Sequence, residues 1–459
     1  MAEALDVWLY GTHVATITED SRQRLGLTWT ADALQRWGPG ARLLSAKLPV
    51  GSPVTPSLIK NYVDGLLPEG NARVNHALEA GVGHDDSFAL IGVFGRDTPG
   101  AAIFTPKGSK DPSAAGTYVS LTDDEVAERL RSADSFSRAR SSGDTESSTL
   151  PGMIPKVTLH RENGQWFACR DGAASTWIMK RSVDADSPAR DIVDTEVAAL
   201  SLARELGITS IDAELFEHHG VRGIAVSRYD RTPGGGRIHQ EDLAQAIGLN
   251  TLDLIRKFQW GARMPSLAHA AEVLETGGGN RDDLLRLVTF SHLVGNTDMH
   301  AKNISFLRHP DLRVELAPAY DIAMHMHHVR EGRRSALDVN SKHAMNEITV
   351  DDLVSEGRSW GLTDRRARAV VDSTAAALVT ALSNIDRTEH AGVSEEAWDV
   401  VTQRASAAAD PVIPSLAVNP PEPSSPAPPP PGSETVRSHI NASREVKQST
   451  RERRGPRPR

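Results

Sequence analysis

Cysteine is nearly absent from this chain. Cys169 is the one thiol in 459 residues, so neither an intrachain disulfide nor a thiolate metal cluster can form. Long apolar runs are missing too: nothing approaches the roughly 20 consecutive apolar residues of a membrane span. The start, MAEALDVWLYG, has no basic leader and no apolar segment of signal length. There is no basic excess either. A net charge of −9 excludes nucleic-acid binding through the overall field and leaves only local patches. These absences predict a soluble, cytoplasmic protein with no membrane partner. What is present, 39% hydrophobic and 24% charged residues, suits a globular chain with room for two or three domains.

Composition divides the chain. Twelve of the 27 prolines lie beyond residue 409, where PVIPSLAVNPPEPSSPAPPPP runs on to the arginine cluster RERRGPRPR. Residues 410–459 are therefore expected to be a disordered, proline-rich tail that buries no core. Residues 1–105 read as a small mixed α/β unit. LDVWLYGTHVATITED alternates apolar and polar residues around a Tyr-Gly-Thr turn, as a hairpin does. Leu58, Tyr62 and Leu66 then follow at helical spacing, before a Pro-Glu-Gly break. Residues 106–150 read as a connecting segment with mobile loops around one helix, TDDEVAERLRSA. In 151–252, KVTLH and WFACR form a hairpin across RENG, TWIMK is a short strand, and a helix follows. Residues 253–409 read as mostly helical with one hairpin. The class is α+β.

Two features of this pattern carry chemistry. In ARDIVDTEVAALSLARELG, Ile192, Ala199, Ala203 and Leu206 line one helical face, and Glu196 falls in the middle of the stripe. A carboxylate there is costly unless paired. Lys180, at the end of TWIMK, is the candidate partner, and the pair can present an ammonium to a phosphate. The plainer readings are a solvated strand end for Lys180 and a stripe-edge carboxylate for Glu196.

The second feature is NTDMHAKN. It follows the apolar helix DDLLRLVTFSHLV and its stop, Gly295. ISFL and RVELAPAYD then read as two strands across the turn RHPDL. An antiparallel hairpin brings the residue before its first strand near those after its second, here Asn303 and Asp321. Their oxygens, with no thiolate nearby, suit a hard cation such as Mg²⁺. Asp298 and Asn303 have the D-x-x-x-x-N spacing of the protein-kinase catalytic loop. That spacing alone is common by chance. An upstream strand lysine, a stripe glutamate and a later hairpin aspartate, all in kinase order, make it specific.

Ordinary protein kinases differ in detail. Here the histidine comes after Asp298, DIA stands where Asp-Phe-Gly would, and SSTLPGMIPK holds a single glycine. With these departures, GNTDMHAKNIS, APAYDI, TWIMK, TEVAALSLARELGI, SRYDR, HQEDLAQAIG and YVDGLLPEG make the chain similar to the HipA family, the serine/threonine kinase toxins of bacterial toxin–antitoxin modules. The resemblance runs from the first strands to about residue 405. It implies a protein-kinase-like bilobal fold with the N-terminal subdomain and a mostly helical C-lobe. It also implies ATP and Mg²⁺ as cofactors, a protein substrate (an aminoacyl-tRNA synthetase in some relatives), and a helix-turn-helix antitoxin of HipB type that reaches operator DNA.

By the same resemblance, Asp298 would be the catalytic base, with His300 and Lys302 supporting the loop and the transferring phosphate. Asn303 and Asp321 would bind Mg²⁺. Lys180 and Lys156 would attend the nucleotide, and Glu196 would orient Lys180. The backbone of Ser227 and Tyr229 would face adenine. Thr149, or Ser148 beside it, would be the autophosphorylation site, standing where relatives carry a serine. Two other readings compete. One is a metal-dependent hydrolase using Asp298, His300, Asp321, His325 and His327. The other is a pseudokinase that acts as a co-repressor.

Overall fold

The computed structural model describes residues 4–112, 116–133, 149, 156–182, 187, 190–232, 235–260, 264–328 and 333–409. The proline-rich tail and Ser148 lie outside them, and of SSTLPGMIPK only Thr149 and Lys156 are described.

The first unit holds β1 (Ala4–Leu9), β2 (Thr12–Glu19), β3 (Leu25–Trp29) and β4 (Ile103–Pro106), in the antiparallel order β3-β2-β1-β4. The β1–β2 hairpin turns on Tyr10 and Gly11, both at positive φ, the two-residue turn whose twist matches paired strands. Helices α1 (Ala31–Trp37), α2 (Pro56–Leu66), α3 (Gly70–Ala80) and α4 (Ser87–Phe94) complete a core that includes Val7, Ile17, Val63, Phe94 and Phe104.

A six-stranded sheet follows, made of β5 (Thr117–Leu121), β6 (Lys156–Glu162), β7 (Gln165–Arg170), β8 (Trp177–Arg181), β9 (Ala213–His218) and β10 (Val221–Ser227), ordered β5-β7-β6-β8-β10-β9. The β6–β7 hairpin turns on Asn163 and Gly164. The connecting segment is more than a linker with a helix, because β5 pairs along β7 with Val119 opposite Ala168. Four of its five residues are exposed, so it carries no hydrophobic signal. Helix α5 (Asp123–Arg131) begins with a capping box between Thr122 and Glu125.

Helix α6 (Ile192–Glu205) is buried more widely than a single stripe. Val193, Val197 and Leu200 pack with Ile224 and Val226 of the sheet, while Ala199, Leu202 and Ala203 join the helical core beyond. That core gathers α7 (Leu243–Ile247), α8 (Leu267–Thr276), α9 (Arg281–Leu293), α10 (Val350–Ser359), α11 (Asp364–Asn384) and α12 (Glu395–Ala409). Phe290, Phe306 and Trp398 are its largest fully buried side chains. The expected hairpin is β12 (Ser305–Arg308) and β13 (Val314–Leu316), with β11 (His239–Asp242) paired along its outer side. A second hairpin, β14 (Arg334–Val339) with β15 (Lys342–Ala344), was not expected.

The first unit is joined to the rest through buried charge. Asp97, just after α4, meets Arg231 at 2.8 Å, Arg237 at 3.4 Å and Arg228 at 3.5 Å. Asp230 takes Arg228 at 2.8 Å and Arg231 at 3.0 Å, and accepts the Gly100 N–H at 2.6 Å. Gly65 of α2 is a close approach: a Cβ there would meet the Gln245 side chain of α7 at 2.4 Å. Asp97→Ala leaves three buried guanidiniums facing one carboxylate. It should cost roughly 3–5 kcal/mol, read as a lower denaturant midpoint with an unchanged slope. A loss below about 1 kcal/mol would mean the network is solvated in solution.

Candidate active site

Lys180 is the penultimate residue of β8, and Glu196 lies one turn into α6. The ammonium sits 2.6 Å from Glu196 Oε1 and also contacts Asp321. Lys180 is 9% exposed and Glu196 5%, so the pair is sheltered from solvent. Two carboxylates therefore share one buried ammonium, and their environments drive them apart. Burial pushes Glu196 up, and Lys180 offsets this only in part. For Asp321, burial is outweighed by Lys180 and Lys156, which hold the carboxyl well below its usual range. Lys156 stands opposite Lys180 in the β6–β8 register. Burial and the neighbouring Lys180 charge lower it to about 8. Asp321 itself adopts φ 55°, an uncommon conformation for a non-glycine residue.

The loop after α9 begins at Gly295, φ 76°. Asn296 N–H reaches back to the Ser291 carbonyl at 3.0 Å, closing the helix as a left-handed glycine cap does. Asp298 is half-buried. Its N–H donates to Asn296 Oδ1 at 3.0 Å, and its carbonyl accepts from the His300 N–H at 2.8 Å and Asn303 Nδ2 at 2.9 Å. Among the described residues no donor reaches its carboxylate oxygens. Burial pushes that carboxyl up to about 7, opposed by Lys257 and reinforced by Asp321 and Glu69. The side-chain amide of Asn303 is spent on the Asp298 carbonyl, so its Oδ1 remains as an acceptor.

His300 packs edge-on against Phe258 with ring centroids 5.2 Å apart. Burial and then Lys257 lower it to about 3, so it is a neutral imidazole. Lys302 points away from the Asp298 carboxylate, donating to Asp242 Oδ2 at 2.9 Å and the Gly65 carbonyl at 3.1 Å. Lys257 and Glu69, which meet behind the loop, were not among the expected site residues. Lys257 donates to Glu69 Oε2 at 2.9 Å. RKFQW offers no pattern that marks Lys257, whereas Glu69 lies in the noted stretch YVDGLLPEG.

The remaining candidates spread around this centre. Of the backbone expected to face adenine, the Ser227 N–H donates to the Asp212 carbonyl at 2.8 Å. The phenol of Tyr229 donates to Gln240 Oε1 at 2.8 Å, and its ring lies 5.3 Å from that of Tyr320, which precedes Asp321. Thr149 is fully buried, with its N–H on the Asp97 carbonyl at 3.0 Å, so its hydroxyl is not presented to solvent. The hydrolase set does not assemble. Among the described residues, three-ligand clusters occur at Asp191, His327 and His328 and at Asp124, His218 and His219. His328 N–H donates to the His325 carbonyl at 3.0 Å, so His325, His327 and His328 lie on a turn.

The HipA N-terminal domain matches residues 5–105 and the HipA-like C-terminal domain matches residues 148–382. Y4dM of Sinorhizobium fredii is 28% identical over 372 residues, covering 76% of this chain and 84% of that protein. The serine/threonine-protein kinase toxin HipA of Shewanella oneidensis is 27% identical over 312 residues, covering 64% of this chain and 70% of that one. A solved complex of Shewanella oneidensis HipA, HipB and operator DNA superposes with a TM-score of 0.72 at 22% identity, covering 88% of this chain and 96% of the other. The fold is shared with that structure, and with one family model matching the first unit and another more than half of the chain, this protein belongs to the HipA family.

Proposed function

We propose that this protein is an ATP- and Mg²⁺-dependent serine/threonine protein kinase that acts as the toxin of a toxin–antitoxin pair. The observation that carries the reading is the buried Lys180–Glu196 pair in contact with Asp321, together with an Asp298 carboxylate that no donor among the described residues occupies. A carboxyl near neutrality suits a general base, and Asp298 would accept the proton of the substrate hydroxyl. Lys180, oriented by Glu196, would hold the ATP phosphates, with Lys156 beside it. Asn303 Oδ1 and the Asp321 carboxylate are oxygen donors of the kind Mg²⁺ takes. When bound, that ion would neutralise charge on the phosphates. Neutral His300, packed on Phe258, and Lys302, tied to Asp242, would brace the loop from behind.

The substrate class is a protein hydroxyl, with a translation factor such as an aminoacyl-tRNA synthetase as the first candidate and growth arrest as the result. A HipB-like helix-turn-helix antitoxin is the expected partner, linking the protein to operator DNA. The relative solved with HipB and operator DNA supports that partnership. The chain would work in the cytoplasm, in keeping with described residues that contain no helix long and apolar enough to cross a membrane. Autophosphorylation at Thr149 would require that buried residue to leave its place beside Asp97.

Phosphoproteomics after induced expression tests the reading. New Ser or Thr phosphosites should appear with the native chain and be absent with Asp298→Asn. Identical phosphosites in both would favour the pseudokinase co-repressor.

A further inference from the structure

We propose that Asp191, His327 and His328 form a transition-metal site of zinc type that fastens the start of α6 to the segment following Asp321. The three side chains come from places 136 and 137 residues apart in sequence. His327 Nε2 lies 2.8 Å from Asp191 Oδ2, His328 Nε2 contacts Asp191 Oδ1, and the two rings are 3.8 Å apart. All three ligand atoms fall within 4.8 Å of one another. Two imidazoles and a carboxylate are a recurrent donor set for Zn²⁺, with one position left for water or a further ligand.

Hydrogen bonding alone could hold the two rings on one carboxylate. A second observation favours an ion. The side chains of His327, His328 and Asp191 are only 6%, 10% and 14% exposed, so two imidazoles and a carboxylate are held together away from bulk solvent before any ion arrives. By contrast, the other cluster, Asp124, His218 and His219, is mostly exposed, so its side chains are not held in place before an ion arrives.

The site is distinct from the Asn303 and Asp321 oxygens, and does not depend on the kinase reading. It lies close to the same machinery, however. His328 N–H donates to the His325 carbonyl at 3.0 Å, and His325 N–H donates to the Gly295 carbonyl at 3.1 Å. His325 Nδ1 accepts the Thr297 N–H at 3.3 Å. An ion here would tie the helix bearing Glu196 to the turn that supports the Asp298 loop. Asp191, His327 and His328 are thus positioning residues.

The test uses the full-length chain without a histidine tag, stripped with chelator and titrated with Zn²⁺ and with Co²⁺ as a spectroscopic probe. One equivalent of Zn²⁺ should bind with micromolar affinity or better, and the thermal midpoint should rise with it. Asp191→Asn and His328→Gln should each weaken binding by at least about tenfold, while His218→Ala with His219→Ala should leave it unchanged. The Co²⁺ visible bands should disappear in the first two variants alone. His328→Gln keeps a polar side chain of similar reach, so it remains informative if Asp191→Asn fails to fold. Absence of Zn²⁺ binding by the native chain overturns the proposal. So does binding that survives both site variants or is lost with His218 and His219.

Discussion

Asp298→Asn should lower kcat by about 10²–10⁴-fold while ATP still binds. Asparagine keeps the shape of the side chain, and the loop is held by backbone contacts, from His300 N–H and Asn303 Nδ2 to the Asp298 carbonyl. What it removes is the proton acceptor. The same carboxyl gives a pH signature. Burial places it at about 7, and only the ionised form is a base, so kcat/KM of the native enzyme should rise through neutrality and then level off. The residual activity of the variant should lack that rise. Stability should show the opposite trend. With the folded value at about 7 and the unfolded one at about 4, the carboxyl's contribution is intact below about pH 4 and is lost progressively as pH climbs from there through about 7. Asp298→Asn should therefore show a gain in thermal stability relative to the native chain that grows from about pH 4, is largest above neutrality, and is absent only below about pH 4. Near-normal turnover by a folded variant would remove Asp298 from the chemistry.

Lys180→Met should be the most disruptive single change. It leaves Glu196 buried without its cation, a loss of roughly 3–5 kcal/mol for a buried pair. Asp321 adds less, because its side chain is 39% exposed and solvent screens it. Glu196 lessens the damage by protonating, since burial already pushes it up. For function, KM for ATP should rise and kcat should fall by at least about 10²-fold. Glu196→Gln should do both more mildly, because a carboxamide oxygen still accepts the Lys180 N–H. Denaturant unfolding and ATP titration of the two variants separate stability from positioning. Unchanged ATP affinity and rate in Lys180→Met would leave that lysine a structural ion-pair partner with no part in nucleotide binding.

The elements that could be read from the sequence share one property: their signal is local. The β12–β13 hairpin was legible because Asn303 and Asp321 flank two short apolar runs around RHPDL. Glu196 stood out because a carboxylate interrupted an apolar stripe. Contacts whose two ends lie far apart in the chain leave no such local signal. β5 is an exposed edge strand whose partner, β7, is more than 40 residues away, so no alternation betrays it. SRYDR was read for the backbone of Ser227 and Tyr229, yet its Arg228, Asp230 and Arg231 hold Thr98, Gly100 and Asp97 across more than 125 residues. Lys257 reaches Glu69 over 188 residues. No window of sequence contains both ends of such a contact. His327 stood among the candidate ligands, but its partner Asp191, 136 residues away, was hidden by the same distance.

The Asp97 network also bears on how the chain is made. Asp97 is synthesised 134 residues before Arg231. At roughly 5–20 residues per second, that gap lasts on the order of ten seconds. During this time the nascent first unit carries a carboxylate whose native counter-ions do not yet exist. It can form its sheet and helices, but its final surface waits for the second half of the six-stranded sheet to leave the ribosome. A ribosome stalled before Arg228 would therefore display a first unit that is open to proteases at the segment around Asp97, and one stalled well past Arg237 would not.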